Sequence, residues 1–261
     1  MRRLSSSLFS LGSDPDPAVP TVVQFGFAGA GVHSLREFQR LLPGRQHLAV
    51  NYPGRGIRSA EPPAPDVRAI ATAVAEEFAG LLAAGVVAPG PLLIGHSMGA
   101  YVALETTALL ESRGVPCTAL VVSSSLPPGD GARRQTLAGH VVADLDDEEL
   151  TGVLLAEGGL PEEILSEPEL LGLILPVLRH DFGLGAAYSS AGDAAAVVAC
   201  PLVAFAGEQD RSVTPEDMHD WRHSTRGLSV ARTFPGDHFW FRSCPPGVGE
   251  AVEQAVSRVT G

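Results

Sequence analysis

Six short apolar runs punctuate the chain: TVVQFGF, LAVNY, PLLIG, TALVVSSS, PLVAFAG and LSVARTF. Rich in Val, Leu and Ala and bounded by Gly, Pro or polar clusters, they have the pattern of strands buried on both faces. Longer segments of helical period lie between several of them. In VRAIATAVAEEFAGLLAAG, Ile70, Val74, Phe78 and Leu81 or Leu82 recur along one face, and Asp66 stands where an N-cap is needed. YVALETTALLESRG follows Ser97 and ends on Gly114, a helix stop signal. Strand alternating with helix predicts an α/β fold with a mainly parallel central sheet flanked by helices.

One region breaks the alternation. From about Pro127 to Ala195 no strand is predicted, and two helical patterns appear, LDDEELTGVLLAEGG and PEEILSEPELLGLILPVLRHDFG. Placed between two strands and directly after SSSLPPGDG, the segment is expected to be an inserted helical lid over about 127–195. The alternative is that its apolar faces simply pad one side of the core. Residues 1–20, MRRLSSSLFSLGSDPDPAVP, have no sustained apolar stretch and are expected to form a loose tail rather than a signal peptide. Residues 21–261 then form one domain, a size that needs neither disulfide nor metal to fold. No later run is expected to cross a bilayer.

Charge and composition narrow the chemistry. The net charge of −12 disfavours nucleic acid and anionic membranes as partners. The three cysteines, Cys117, Cys200 and Cys244, are widely spaced, so neither a disulfide framework nor a zinc ribbon is expected, and a cytoplasmic location fits. Every basic residue is Arg and the chain has no Lys, which removes Schiff-base chemistry, pyridoxal phosphate attachment and the Walker lysine together. No metal or cofactor is expected.

The remaining chemistry centres on PLLIGHSMGA, residues 91–100. A nucleophile at the top of a sheet must be lifted from its strand on a very tight turn, where neighbouring side chains would collide; Gly95 and Gly99 remove the collisions around Ser97. In a chain with 29 Gly the motif alone is weakly specific, but Ser97 follows a predicted strand, precedes a predicted helix, and is followed by an acid and then a base in the order of α/β-hydrolases. The acid is expected to be Asp210, just past the strand PLVAFAG, with Glu208 as fallback; a turn-forming Asp is the competing role. The base is expected to be His238 in FPGDHFWF. His96 is expected to point away around the turn, His219 and His223 to lie on a surface helix, His180 to belong to the lid, and Asp237 to leave the His238 ring alone. The oxyanion would be met by the N–H groups of Met98, after the nucleophile, and Ala28, in the loop FGFAGAG. That loop also offers Gly29 and Gly31 as a dinucleotide fingerprint, but Ser34 stands at the third glycine position and no acidic strand end follows at the right distance.

As an ordered set, FGFAGAG, NYPGRGIRSAEPP, GHSMGA, PELLGLILPVLRHDFGLGAAY, GEQD and FPGDHF resemble the discrete type II thioesterases that accompany modular polyketide synthases and nonribosomal peptide synthetases. The resemblance spans nearly everything after residue 20. It implies an α/β-hydrolase fold, hydrolysis of acyl groups from the phosphopantetheine arm of carrier proteins to clear stalled or mis-primed units, and a lid that shapes the acyl chamber. The chain departs from the family loop at Gly26, where a proline is usual, and at Ala30, where Gly29 would be followed by a second glycine. Carrier proteins are generally acidic, so a chain of net charge −12 is expected to meet them with weak long-range repulsion unless a local patch such as Arg133 and Arg134 steers docking. A carboxylesterase, an acyltransferase or a non-catalytic binding protein could use the same scaffold. With Met1 at its start and no carrier domain ahead, the chain is expected to stand apart from macrocyclising thioesterase domains.

Overall fold

The computed structural model describes residues 1–129, 137–160, 162–190 and 195–260. Arg133 and Arg134 lie outside them. The strands are Arg2–Arg3 (β1), Leu8–Ser10 (β2), Thr21–Phe25 (β3), Gln46–Val50 (β4), Leu92–His96 (β5), Ala119–Ser123 (β6), Leu202–Gly207 (β7) and Ser229–Phe234 (β8). The α-helices are Phe38–Leu41 (α1), Val67–Ala83 (α2), Met98–Ser112 (α3), Asp147–Ala156 (α4), Pro168–Ser189 (α5), Pro215–Asp220 (α6) and Val248–Thr260 (α7). One sheet runs in the order β1-β2-β4-β3-β5-β6-β7-β8. From β4 to β8 all neighbours are parallel, whereas β1 and β2 join antiparallel at one edge.

Alternating residues along each central strand feed two cores. Val23, Leu93, Leu120 and Val122 pack with Ile70, Val74 and Phe78 of α2 and Leu104 of α3. Val22, Leu92, Ile94 and Val121 pack with Phe38 of α1 and Val252 of α7 on the other face. This two-sided burial is why the strands read as continuous apolar runs. Helix α2 begins as expected, the Asp66 carboxylate accepting from the Ala69 N–H at 2.7 Å, and α3 closes on Gly114 at φ +76°.

Residues 1–20 correct the expectation of a loose tail. Their strands β1 and β2 continue the sheet, with Leu8, Phe9 and Ser7 buried. Glu77 of α2 holds them: its carboxylate accepts from the Ser5 hydroxyl at 2.5 Å, the Ser7 N–H at 2.8 Å and the Ser7 hydroxyl at 3.1 Å. Further on, the Gln46 side chain accepts from the Asp16 N–H and donates to the Asp16 and Val19 carbonyls. Polar partners distant in sequence, together with the burial of Leu8, Phe9 and Leu11, order this segment.

Between β6 and β7 the described residues contribute no strand to the sheet and carry α4 and α5. Helix α5 divides between two surroundings. Leu175 and Leu178 join Leu150 and Leu154 of α4 in a cluster separate from the main cores, while Leu184 and Tyr188 enter the main core and the Tyr188 hydroxyl donates to Glu105 of α3 at 2.7 Å. The half of α5 with Leu184 and Tyr188 pads the main core, and the half with Leu175 and Leu178 packs with α4 in its own cluster. The helix is 22 residues long with hydropathy 1.3 over its most apolar window, enough by length and composition to cross a membrane. It nevertheless carries Arg179, His180 and Asp181 consecutively, with His180 Nε2 at 2.9 Å from the Ala64 carbonyl and Asp181 fully buried in an ion pair.

Glu77→Ala would leave three donors without their acceptor. It should lower stability by roughly 1–3 kcal/mol, read as a shift in the urea midpoint.

Candidate active site

Strand β3 has β4 on one side and β5 on the other, so the chain's direction of travel across the sheet reverses between β3 and β5. In an open parallel sheet such a switch point opens a crevice at the strands' C-terminal ends. The loop FGFAGAG leaves β3 there and the turn holding Ser97 leaves β5 beside it.

Ser97 adopts φ 54° and ψ −125°, a conformation that L-residues rarely occupy, between the last residue of β5 and the first of α3. The two glycines around it are explained by backbone approach. A Cβ on Gly95 would lie 2.1 Å from the Gly99 carbonyl oxygen, and one on Gly99 would lie 2.3 Å from that of Phe25. The glycines therefore let α3 start directly against β5 and β3. Its first residue, Met98, is buried.

The expected acid and base follow the ends of β7 and β8, with β6 lying between β5 and β7. His238 Nδ1 is 3.0 Å from Asp210 Oδ2 and 3.3 Å from Oδ1, and both side chains are buried. Burial alone would raise the Asp210 pKa, but the charge of His238, its hydrogen bond and the Ser212 N–H at 2.8 Å outweigh burial and hold the carboxyl below its ordinary range. Glu208 is exposed, so the fallback acid takes no part in this pair. The loops carrying the pair are tied together: Glu208 N–H donates to Phe234 O, Gln209 N–H donates to Gly236 O, and Gly236 N–H donates to Gln209 Oε1. A Cβ on Gly207 would lie 2.1 Å from the Asp237 carbonyl oxygen, so this glycine lets the histidine loop cross the end of β7. The Asp237 carboxylate accepts from the Phe239 N–H instead of engaging the His238 ring.

His96 Nδ1 lies 2.9 Å from Ser123 Oγ on the neighbouring strand β6. Its ring centroid lies 4.9 Å from that of His238, within a cage of Phe27, Phe38, Phe239 and Phe241. Burial, then the charges of His238 and Arg242, push its pKa well below the ordinary 6.5. His219 and His223 are exposed, and His180 sits on α5.

In the loop after β3, the Ala30 N–H turns back to the Phe27 carbonyl at 2.9 Å and the Gly29 N–H donates to Asp181 Oδ2 at 2.8 Å. Of the consecutive amides 28 to 30, that leaves Ala28 without an acceptor among the described hydrogen bonds. Gly29 has φ +77°, and a Cβ there would lie 2.5 Å from Leu178 Cδ2 of α5. The sequence offered no sign that Asp181 and Arg55, far apart along the chain, would meet this loop. The same loop also links two departures from the family pattern. A Cβ on Gly26 would lie 2.7 Å from the Ala30 Cβ, so the side chain missing at one position makes room for the methyl at the other. Among the described residues no cluster of His, Cys, Asp or Glu has the arrangement of a metal site.

Two outcomes follow from this geometry. Gly26→Ala should destabilise the fold by about 1–3 kcal/mol, and adding Ala30→Gly should recover most of that, measured by chemical denaturation. Stability should also fall as pH drops below 6.5: His47 and His96 both have burial-depressed pKa values, so the unfolded chain takes up protons that the folded chain does not. Each contributes a slope of about 1.4 kcal/mol per pH unit between 6.5 and its folded pKa, measurable as urea midpoints from pH 7.5 to 5.5.

Comparison with known proteins agrees with this architecture. The thioesterase PikA5 of Streptomyces venezuelae is 33% identical over 228 residues, covering 87% of this chain and 76% of the relative. The structure of YbtT, a type II thioesterase from the yersiniabactin pathway, superposes with TM-score 0.81 at 25% identity, covering 98% of this chain and all of that one. RedJ, a thioesterase of prodiginine biosynthesis in Streptomyces coelicolor, gives TM-score 0.75 at 29% identity over 94% of this chain and 93% of its own. The thioesterase domain pattern itself matches residues 20–255, and the chain belongs to that family.

Proposed function

We propose that this chain hydrolyses acyl groups from the phosphopantetheine arm of acyl and peptidyl carrier proteins, removing aberrant or stalled units through an acyl-enzyme on Ser97. The hydrogen bond between Asp210 and His238 carries this assignment. It joins the loops after β7 and β8, with the His238 ring centroid 4.9 Å from that of His96, the residue before Ser97, and it occupies Nδ1 of the ring, which leaves Nε2 as the base. The thioesterase family and the polyketide and peptide pathways named for the similar structures supply the substrate class.

In the proposed reaction His238 Nε2 takes the Ser97 proton while Oγ bonds to the thioester carbon. The Asp210 carboxylate fixes the ring tautomer and stabilises the imidazolium. The carbonyl oxygen becomes an oxyanion received by the Met98 and Ala28 N–H groups, with the N-terminus of α3 pointing at the same place. Collapse breaks the C–S bond, and the proton on His238 goes to the departing thiolate. Water then attacks the Ser97 ester with His238 again as base, releasing the carboxylic acid and restoring the serine. Residues from about 127 to 195 serve in this scheme as the lid over the acyl chain.

Ser97→Ala should lower kcat on an acylated carrier protein by roughly 10⁴-fold or more, and Asp210→Asn by about 10²- to 10⁴-fold with the fold intact. Acyl-pantetheine thioesters should be cleaved in preference to oxygen esters of the same chain; the opposite preference would assign a carboxylesterase instead. Raising salt should leave kcat/KM on acyl-carrier substrates unchanged or improved. A steep loss would instead assign docking to a basic patch.

A further inference from the structure

The loop proposed to hold the oxyanion does not stand on the sheet alone. Arg55, five residues after β4, and Asp181, in the middle of α5, form a two-pronged ion pair, Nη1 to Oδ2 at 2.5 Å and Nη2 to Oδ1 at 2.6 Å. Their side chains are 10% and 1% exposed. Asp181 Oδ2 also accepts from the Gly29 N–H. Two further contacts fix the same corner. Leu178, one turn before Asp181 on α5, fills the space that a side chain at Gly29 would need, and Ala28 packs into the apolar cluster of α4 and α5. On the other side the Tyr52 hydroxyl donates to the Gly26 carbonyl at 3.1 Å, and the Arg55 guanidinium lies 5.2 Å from the Tyr52 ring centre.

From this arrangement we infer that Asp181 and Arg55 are positioning residues for the oxyanion-binding loop, so that the active site is complete only while α5 is seated on the sheet. The inference rests on the assignment of Ala28 above. The Gly29 N–H belongs to the peptide group that begins at the Ala28 carbonyl, so anchoring it on a carboxylate restricts the backbone rotation that aims the Ala28 N–H. A charged acceptor makes that anchor stronger than a neutral one. The carboxylate brings a difficulty of its own: a bare negative charge one residue from the developing oxyanion would oppose it in a poorly screened site. Arg55 answers both requirements, since its planar fork engages both carboxylate oxygens and cancels the charge. Leucine packing alone would seat the helix but would not orient an amide.

The test separates orientation from simple loss of fold. Arg55→Met keeps the carboxylate and removes its counter-charge; Asp181→Asn keeps an acceptor for Gly29 while discarding the charge; the double variant discards both charges. With an acyl-pantetheine thioester as substrate, Arg55→Met should lower kcat at least tenfold with little change in KM, short of the roughly 10²- to 10³-fold loss that removing one oxyanion donor outright produces. Affinity for an acyl trifluoromethyl ketone, which forms a tetrahedral adduct on serine, should fall by the same factor. Adding Asp181→Asn to Arg55→Met should recover part of both losses, which a purely structural role predicts neither in kcat nor in inhibitor affinity. If Arg55→Met does not fold, Arg55→Lys serves, with a smaller loss in the same two quantities. Wild-type kcat and inhibitor affinity in the folded variants, or a double variant worse than either single one, would overturn the inference. Because wild type and Ser97→Ala are assayed alongside, an absence of serine-dependent thioester turnover in the wild type would be seen separately, as failure of the proposed function and of the inference with it.

Discussion

Everything at the top of the sheet depends on how closely the first turn of α3 approaches the ends of β3 and β5. At Gly95 and Gly99 the opposing backbones leave no space even for a methyl group, and that compression holds Ser97 at a positive φ. A strained residue persists only where its surroundings over-determine it. Here the surroundings are β5, buried at every residue, and the first turns of α3, buried from Met98 to Thr107, so the strain is borne by a part of the fold with little room to relax.

The polar groups around that point are buried and therefore must be matched in pairs. Asp210 with His238, and Asp181 with Arg55, place two carboxylates out of water in different surroundings: one faces an imidazole, the other a guanidinium. Breaking either pair would leave a charge that the site cannot solvate. The neutral His96 ring behind His238 follows the same economy of charge, since a second cation in the aromatic cage would oppose the first. The insertion between β6 and β7 is thereby bound into the electrostatics of the sheet as well as into its apolar packing.

What the sequence revealed and what it concealed divide along chain distance. The central strands, the helix starting at Asp66 and the glycines around Ser97 were legible because each is a local pattern, two-sided burial or a tight turn, that leaves its mark within ten residues. Asp210 and His238 could be picked out from strand order and motif context. By contrast β2 is three residues long, and it is ordered by Glu77, 70 positions from Ser7, so nothing nearby marks it as more than a polar tail. Arg55 and Asp181 are separated by 126 positions, and neither stands in a pattern that names the other. The relation between Gly26 and Ala30 is local yet still needed coordinates, because one departure that loosens the backbone and another that stiffens it turn out to share one volume.

The antiparallel hairpin at the chain's beginning also decides how the sheet ends. A parallel sheet that stopped at β4 would offer a row of free amides and carbonyls to any passing strand. Instead its last member is β1, two residues long, both of them exposed arginines. So short and so charged a border gives a second strand almost nothing to zip onto at this edge of the sheet.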